Sequence, residues 1–332
     1  MTVRPVFTAL CSHLFLFVLA SVSTLYAETR IGVIGLDTSH TIAFTEMLNV
    51  KRNMTEFADF RVTAAYQYGS LDIPSSTNRY PEYLAKMKGM GVTILPSVAE
   101  LLKQTDCILL ETNDGRRHYE QALEVFQSGK RVFIDKPIAA SLSDTVKILE
   151  AAKKYHASFF SASSLRYVAN VQLARAGKLG KVLGADVFSP FTVEPTHSEY
   201  YWYAVHGVEP LITIMGTGCK SVSCYPSEQA DVLVGVWEDG RVGIARAIPK
   251  QWKYGGCIFT NKGATEMGNY EGYRPLLQEI LTFFRTGVVP VDPQETLEIF
   301  AFMEAATESK RKGGIPVTLA EVLEKAREAK GK

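Results

Sequence analysis

Short apolar runs alternate with amphipathic segments over residues 29–154 of this 332-residue chain. The sharpest run, residues 132–134, is Val-Phe-Ile and ends abruptly at Asp135, Lys136 and Pro137. Buried parallel strands have this composition, and a proline ends a strand because it has no backbone N–H to donate. Strands that alternate with helices predict a doubly wound parallel sheet with right-handed crossovers. Lys136 would then follow a strand at the sheet edge where open α/β folds bind ligands.

The second half of the chain has a different pattern. Strand-like segments predict a mostly antiparallel open sheet over residues 182–188, 230–237, 240–249 and 257–260. Helical periodicity is present over residues 206–215, 273–285 and 296–311. We therefore predict an α/β chain with a Rossmann-type nucleotide-binding domain over residues 28–155. A substrate-binding α/β domain with C-terminal helices is predicted over residues 156–332.

The first 27 residues have the layout of a secretory signal peptide. One basic residue, Arg4, precedes an apolar block at residues 14–20, and small residues lead to Ala27. The apolar block is shorter than a transmembrane helix requires. We expect export to the periplasm or the cell exterior, with no membrane attachment after cleavage. A retained membrane anchor is the alternative.

Charge and cysteine content exclude several classes of partner and site. Without residues 1–27 the chain has 35 basic and 35 acidic residues, so a nucleic-acid or anionic-membrane partner is not expected. Hydrophobic residues make up 46% of the chain, enough for a full core. Cys219 and Cys224 are close enough in sequence to pair in an oxidising compartment. The cysteines do not have the spacing of a zinc site.

Motifs in register over about residues 29–320 resemble the Gfo/Idh/MocA family of sugar oxidoreductases. Gly32-Val33-Ile34-Gly35 stands where the family's glycine loop begins, and Asp135-Lys136-Pro137 resembles its Glu-Lys-Pro motif. His206-Gly207-Val208-Glu209 resembles its His-x-x-Asp motif. The resemblance implies an enzyme that acts on a carbohydrate or polyol with a tightly bound NAD or NADP. It also implies a homo-oligomer formed through the C-terminal sheet.

The resemblance implies a role for each motif residue. Lys136 would contact the substrate hydroxyl and relay its proton, His206 would be the acid/base, and Glu209 would orient the imidazole. These residue types suit the reaction, because oxidation of a carbinol requires a group that titrates near neutrality to take the hydroxyl proton. Aromatic residues expected to face the sugar, with a core role as the alternative, are Trp202, Tyr203 and Tyr254. The residues expected to line the cofactor are Gly32, Gly35, Asp37, Thr38, Ser39, His40, Gln67, Thr112, Asn113, Asp114 and Asp135.

The glycine loop departs from the family pattern. A dinucleotide fingerprint has three glycines, and here Gly35 alone is in place, with Asp37 and His40 at the other two positions. Asp37 places a carboxylate where the phosphate charges should lie. It is equally consistent with the sequence that Asp37, Thr38 or Ser39 caps the following helix. The acid expected to bind the ribose near Gln67 is also missing.

These departures leave two other functions open. In the first, a divalent metal site formed by Asp37, His40, Asp114 and His118 polarises an oxidised sugar while Lys136 and His206 move protons. Such an enzyme would be a lyase, an epimerase or a hydratase and would need no nicotinamide. In the second, the chain is a non-catalytic sugar-binding protein on the same fold.

Overall fold

The computed structural model describes residues 28–51, 55–250 and 252–329. The predicted signal peptide at residues 1–27 lies outside them. Over the described ranges, no helix is long and apolar enough to cross a membrane.

The N-terminal part is the predicted doubly wound sheet of six parallel strands, in the order β3-β2-β1-β4-β5-β6. The strands are β1 (Thr29–Ile34), β2 (Phe60–Tyr66), β3 (Thr93–Leu95), β4 (Cys107–Leu110), β5 (Arg131–Ile134) and β6 (Phe159–Ser161). The helices are α1 (Ser39–Thr45), α2 (Pro74–Gly89), α3 (Val98–Gln104), α4 (His118–Gln127) and α5 (Leu142–Lys154). The strand order reverses between β1 and β4, so the loops after these strands flank the binding crevice of such folds.

Helix α2 is much longer than the segment that the sequence predicts as helical, residues 83–87. It begins at Pro74, a position that tolerates proline because the first helical N–H has no intrahelical partner. A second proline, Pro81, lies inside the helix, and Ser76 and Met87 are its buried residues. A mostly solvated helix that contains proline has little of the apolar periodicity on which such predictions depend.

The C-terminal part contains a seven-stranded sheet in the order β12-β11-β7-β10-β9-β8-β13. The strands are β7 (Val182–Phe191), β8 (Cys219–Pro226), β9 (Asp231–Trp237), β10 (Val242–Pro249), β11 (Gly255–Thr260), β12 (Gly263–Glu266) and β13 (Val317–Thr318). Only the β7–β10 pair is parallel in this sheet, which confirms the predicted antiparallel character. The helices are α6 (Ala169–Arg175), α7 (Val205–Met215), α8 (Arg274–Thr286), α9 (Pro293–Arg311) and α10 (Leu319–Ala329).

The two parts are less separate in sequence than predicted. Strand β6 pairs with β5 and extends the first sheet to Ser161, beyond the predicted boundary at residue 155. Helix α8 also returns to the first sheet, where Leu277 and Ile280 share a hydrophobic core with Ile31 and Phe60. A linear division of the sequence cannot anticipate such a return, because it depends on packing between segments that are more than 200 residues apart.

Cys219 and Cys224, whose pairing the sequence leaves open, do not form a disulfide. Both lie on β8, and an extended strand separates residues five apart by about 16 Å, beyond the reach of a disulfide. All four cysteines in the described part of the chain are free thiols, and Cys107, Cys219 and Cys224 are buried.

Candidate active site

A cavity of about 170 Å³ lies where the loops after β1, β4 and β5 meet the second domain. The first domain contributes Ser39, His40, Ser75, Arg79, Asn113, Lys136, Pro137, Ser164 and Leu165. The second part of the chain contributes Trp202, Tyr203, His206, Tyr254, Tyr270 and Tyr273. The structure therefore brings the predicted Lys136 and His206 into one cavity, together with all three predicted aromatic residues.

Lys136 follows β5 directly, and its side chain is 16% exposed. Its Nζ lies 3.8 Å from Asp135 Oδ2, while its backbone N–H donates to Asp135 Oδ1 at 2.8 Å. The following bond, to Pro137, is a cis peptide. The ammonium group is thus held beside a buried carboxylate at the cavity wall, where it can donate to an oxygen of a bound molecule.

His206 lies on α7 and is buried, with Nδ1 2.7 Å from Ser163 Oγ. Burial lowers the pKa of His206 well below its usual value, and the charges of Lys136 and His40 lower it further. The imidazole is therefore neutral at pH 7 and has a basic nitrogen available. Ser163, which follows β6, is the residue that orients this ring.

Glu209 does not orient His206, contrary to the sequence prediction. Its Oε2 accepts from the backbone N–H of Ser163 at 2.7 Å, and its Oε1 accepts from Arg166 Nε at 2.6 Å. Arg166 also donates to Glu295 at 2.7 Å, so Glu209 belongs to a buried ion network. It acts on His206 indirectly, by fixing the backbone of Ser163.

The glycine loop after β1 makes the close approach for which glycine is needed. Gly35 has φ +91°, and a Cβ there would lie 2.4 Å from the backbone nitrogen of Thr112. Gly32 is predicted to line the cofactor, but it lies inside β1 and packs against Ile108. Of the three predicted capping residues, Thr38 caps α1 by accepting from the N–H of Thr41.

Asp37 lies in the loop between β1 and α1, where folds of this type bind the diphosphate of a dinucleotide. The residue is fully buried, and its carboxylate accepts from the backbone N–H of Asn113 at 3.0 Å and of Ser70 at 3.3 Å. Burial raises the pKa of Asp37, and these hydrogen bonds oppose the rise. A buried carboxylate in the loop between β1 and α1 repels a second anion beside it, so the loop as it stands does not fit the diphosphate of a dinucleotide.

Four other residues predicted to contact the cofactor have partners within the chain. Thr112 Oγ1 donates to Gln121, and Asn113 Nδ2 donates to Ser75 and Ser76. Asp114 accepts from Ser70 Oγ and from Arg116. Gln67 is exposed and accepts from Tyr80, beside a separate open cavity at the end of β2.

The four residues predicted to bind a metal do not converge. Asp37 and Asp114 have the partners just described, and both ring nitrogens of His118 face backbone carbonyl oxygens, of Thr112 at 2.7 Å and Ile138 at 3.1 Å. His40 instead lies beside Asp135 and Glu111. In the described part of the chain, this is the one group of His, Cys, Asp or Glu side chains close enough together to share an ion. Glu111 was missed because an acid directly after β4 resembles an ordinary strand end.

The sequence prediction also missed two of the five aromatic residues that line the cavity, Tyr270 and Tyr273. Tyr270 lies between Tyr254 and Tyr273, with ring centroids 5.9 and 6.1 Å apart, and Tyr254 packs edge-on against His206 at 5.8 Å. Tyr273 OH lies 3.1 Å from Ser39 Oγ, so the aromatic residues contact the first domain at this point. Tyr270 lies in a connection without periodic pattern, so no local signal marks it.

The family model described as the oxidoreductase family with an NAD-binding Rossmann fold matches residues 30–163. Inositol 2-dehydrogenase 3 of Saccharopolyspora erythraea is 29% identical over 133 residues, which are 37% of this chain and 39% of that protein. The 2,7-anhydro-N-acetylneuraminate hydratase of Escherichia coli is 31% identical over 85 residues, 24% of this chain and 23% of that protein. The matched region thus spans about two fifths or less of these relatives' length.

Solved structures extend the likeness to both domains. A probable dehydrogenase from Thermotoga maritima superposes with a TM-score of 0.70 at 19% identity, over 88% of this chain and 99% of that one. Scyllo-inositol dehydrogenase from Lactobacillus casei, solved with NAD(H) and scyllo-inositol, superposes with a TM-score of 0.68 at 15% identity, also over 88% and 99%. At these identities the likeness establishes the fold. The family match covers the Rossmann domain alone, where the chain is similar to the Gfo/Idh/MocA oxidoreductases, and the solved structures show that both domains share the fold of these dehydrogenases.

Proposed function

We propose that this chain is an enzyme that oxidises or reduces a hydroxyl-bearing carbon of a cyclic polyol or sugar. The observation that carries the proposal is the meeting of Lys136 and His206, from the two domains, in one cavity. A cationic donor and a neutral imidazole beside the same small space are the groups needed to move a hydroxyl proton.

The proton transfer uses only the chain's own residues. Lys136 Nζ donates a hydrogen bond to the substrate oxygen and stabilises negative charge that develops there. His206, kept neutral by burial and held by Ser163, accepts the hydroxyl proton. In the reverse direction, the same ring returns the proton to the oxygen.

The hydride acceptor proposed for this reaction is NAD or NADP, the cofactor class of the matched family. If such a cofactor binds, Lys136 and Asn113 are cavity residues that would contact it, and it would supply the hydride acceptor. The buried carboxylate of Asp37 in the loop before α1 opposes its diphosphate, so binding would require that Asp37 be neutral or turn away. For this reason we propose the redox function together with one alternative.

The alternative is a hydratase, epimerase or lyase that acts on an oxidised sugar without a nicotinamide. The observation that favours it is the Asp37 carboxylate at the diphosphate position. A relative whose name describes a hydratase supports the same class of chemistry. Lys136 and His206 would again move the protons, one of them toward the departing hydroxyl.

The cavity wall supports a ring-shaped polyhydroxy substrate. Aromatic faces pack well against the C–H face of a sugar ring, and five aromatic residues line this cavity. Arg79, which is exposed, and the partly buried Ser75 lie on the first-domain side and suit a carboxylate substituent on the ring. The names of several relatives and structural neighbours refer to inositols, which makes inositols the first compounds to test.

Two further features of the proposal concern the protein's surroundings. Export through residues 1–27 would place the enzyme in the periplasm or outside the cell.

Self-association through the second sheet is supported by exposed apolar residues on its strands. Val236 and Val242 are cross-strand partners and are 38% and 43% exposed. Leu183 on β7 and Phe259 on β11 add to this surface.

The test begins with the intact protein purified from the compartment to which it is exported. The denatured protein is assayed for released nicotinamide nucleotide, and the native protein is then offered inositols, aldoses and uronates with NAD or NADP. We expect turnover of a cyclic polyol or sugar, abolished in Lys136→Ala and retained in the control Lys153→Ala, an exposed lysine on α5. Turnover retained in Lys136→Ala would reject the assignment of the site. Water loss or epimerisation without nucleotide would establish the alternative.

A further inference from the structure

Two carboxylates meet beneath the cavity without the donors that buried carboxylates require. Glu111 follows β4 and Asp135 follows the adjacent β5, and both are fully buried. Neither oxygen of Glu111, nor Oδ2 of Asp135, has a hydrogen-bond partner in the described part of the chain. Removing a charge from water costs several kcal/mol, so a buried carboxylate without a donor indicates a missing proton or ion.

His40 completes a three-sided cluster around these oxygens. Its Nδ1 lies 2.9 Å from Asp135 Oδ1 and 3.8 Å from Glu111 Oε2, and one ligand atom of each residue lies within 4.8 Å of the others. Ligands bound to one ion at about 2.0–2.2 Å are roughly 3.0–3.4 Å apart. To share an ion, the His40–Glu111 pair therefore needs to close by about 0.4 Å, and the Glu111–Asp135 pair, which lies within 4.8 Å, by at most about 1.4 Å.

The charge balance of the cluster favours binding of a cation. Two carboxylates face a single lysine, whose Nζ lies 3.8 Å from Asp135 Oδ2. With both acids ionised and the imidazole neutral, the two carboxylates and the lysine sum to one negative charge, and both acids are fully buried. A divalent ion makes it one charge positive, and an alkoxide or hydroxide bound to that ion would make it neutral.

We propose that His40, Glu111 and Asp135 bind one divalent transition-metal ion such as Zn²⁺ or Mn²⁺. One imidazole with two carboxylates is a donor set that these ions accept, whereas Mg²⁺ prefers oxygen ligands alone. This site differs from the ligand set that the sequence suggests, of which only His40 is retained.

The ion would lie at the floor of the cavity, because His40 and Lys136 both line it. A free coordination position there takes a water molecule or a hydroxyl or carbonyl oxygen of the substrate. The ion would lower the pKa of that oxygen's proton and assist either reaction proposed for the site. Only this last step rests on the proposed function, since binding of the ion does not depend on turnover.

The test measures the metal alone on the full-length, untagged protein. After treatment with a chelator, the protein is dialysed against Zn²⁺, Mn²⁺ or Mg²⁺, and the bound metal is counted by mass spectrometry and titrated by calorimetry. We expect one Zn²⁺ or Mn²⁺ per chain, lost in His40→Gln and Glu111→Gln. The control His156→Gln removes an exposed histidine and should bind like the wild type.

Binding of Co²⁺ to the wild type keeps the test decisive if a variant fails to fold, because its visible spectrum distinguishes an ordered four- or five-coordinate protein site from six-coordinate Co²⁺ in water. Absence of stoichiometric Zn²⁺, Mn²⁺ and Co²⁺ would overturn the proposal and identify a protonated Glu111 as the solution to the charge problem. Binding that survives in both His40→Gln and Glu111→Gln would overturn it as well. Neither result affects the polyol assay, so failure of one proposal is distinguishable from failure of the other.

Discussion

His206 Nδ1 and Ser163 Oγ lie 2.7 Å apart, and this contact joins the end of the first sheet to the first helix after β7. Ser163 is itself fixed, because its N–H donates to Glu209 and its Oγ accepts from Leu165 N–H at 3.2 Å. The imidazole is thus held by a residue from the other side of the cavity. Its second nitrogen is left for the substrate.

Replacement of Ser163 by alanine should lower kcat by about 10- to 100-fold, the usual cost of losing a residue that orients a catalytic ring. KM should change little, because Ser163 does not line the cavity. The measurement is steady-state kinetics on the substrate identified in the polyol screen, over a range of pH. An unchanged kcat, or a change confined to KM, would show that Ser163 does not position His206.

Replacement of Glu209 by glutamine should lower the free energy of unfolding by about 3–5 kcal/mol, because Arg166 would keep its buried charge without this partner. Urea denaturation monitored by tryptophan fluorescence measures the change. Arg175→Ala is the matched control, since it removes a part-exposed ion pair to Glu295 in the same network and should cost only about 1 kcal/mol. Equal losses in the two variants would contradict the assignment of Glu209 to a buried network.

The sequence predicts the alternating first sheet, the mixed second sheet and the cavity position of Lys136 and His206, because these follow from local patterns and motif order. It does not predict the partner of His206. Glu209 is three residues further along α7, on the same face as His206, yet the hydrogen bond is made with Ser163, 43 residues earlier in the chain. Spacing along a helix identifies residues on a common face but not the group that packs against that face.

The metal prediction failed for a related physical reason. The loops after β1 and β4 lie in contact, but side-chain direction decides which of their residues meet. Asp37 turns toward backbone amides and His118 toward carbonyl oxygens, whereas His40 turns toward the strand ends. These choices depend on burial and on the donors available nearby, neither of which is visible in sequence spacing.

Replacement of Gly35 by alanine should disrupt the loop after β1. The new Cβ would lie 2.4 Å from the nitrogen of Thr112, and the residue would keep φ +91°. We expect a loss of at least about 3 kcal/mol in the free energy of unfolding, from left-handed strain and steric overlap together. The control Gly129→Ala isolates the left-handed strain, because Gly129 has φ +72° and open space around its Cβ position. This variant should lose about 1–2 kcal/mol in the free energy of unfolding. Equal losses in denaturant titrations would show that the close approach to Thr112 is relieved by movement.

Stability should fall in mild acid because of His197. Its Nε2 accepts from the N–H of Gly115 at 3.0 Å, so this nitrogen must be unprotonated, and burial lowers the pKa of His197 to about 4. An unfolded histidine has a pKa of about 6.5, so below that pH the unfolded chain binds the proton more tightly and the folded state loses stability. The contribution is complete above pH 6.5 and should decrease by about 2 kcal/mol between pH 7 and pH 5. Denaturation curves of the wild type and His197→Gln at both pH values isolate it, because the other titrating groups are common to both proteins. Equal decreases in the two proteins would show that His197 does not carry the pH dependence.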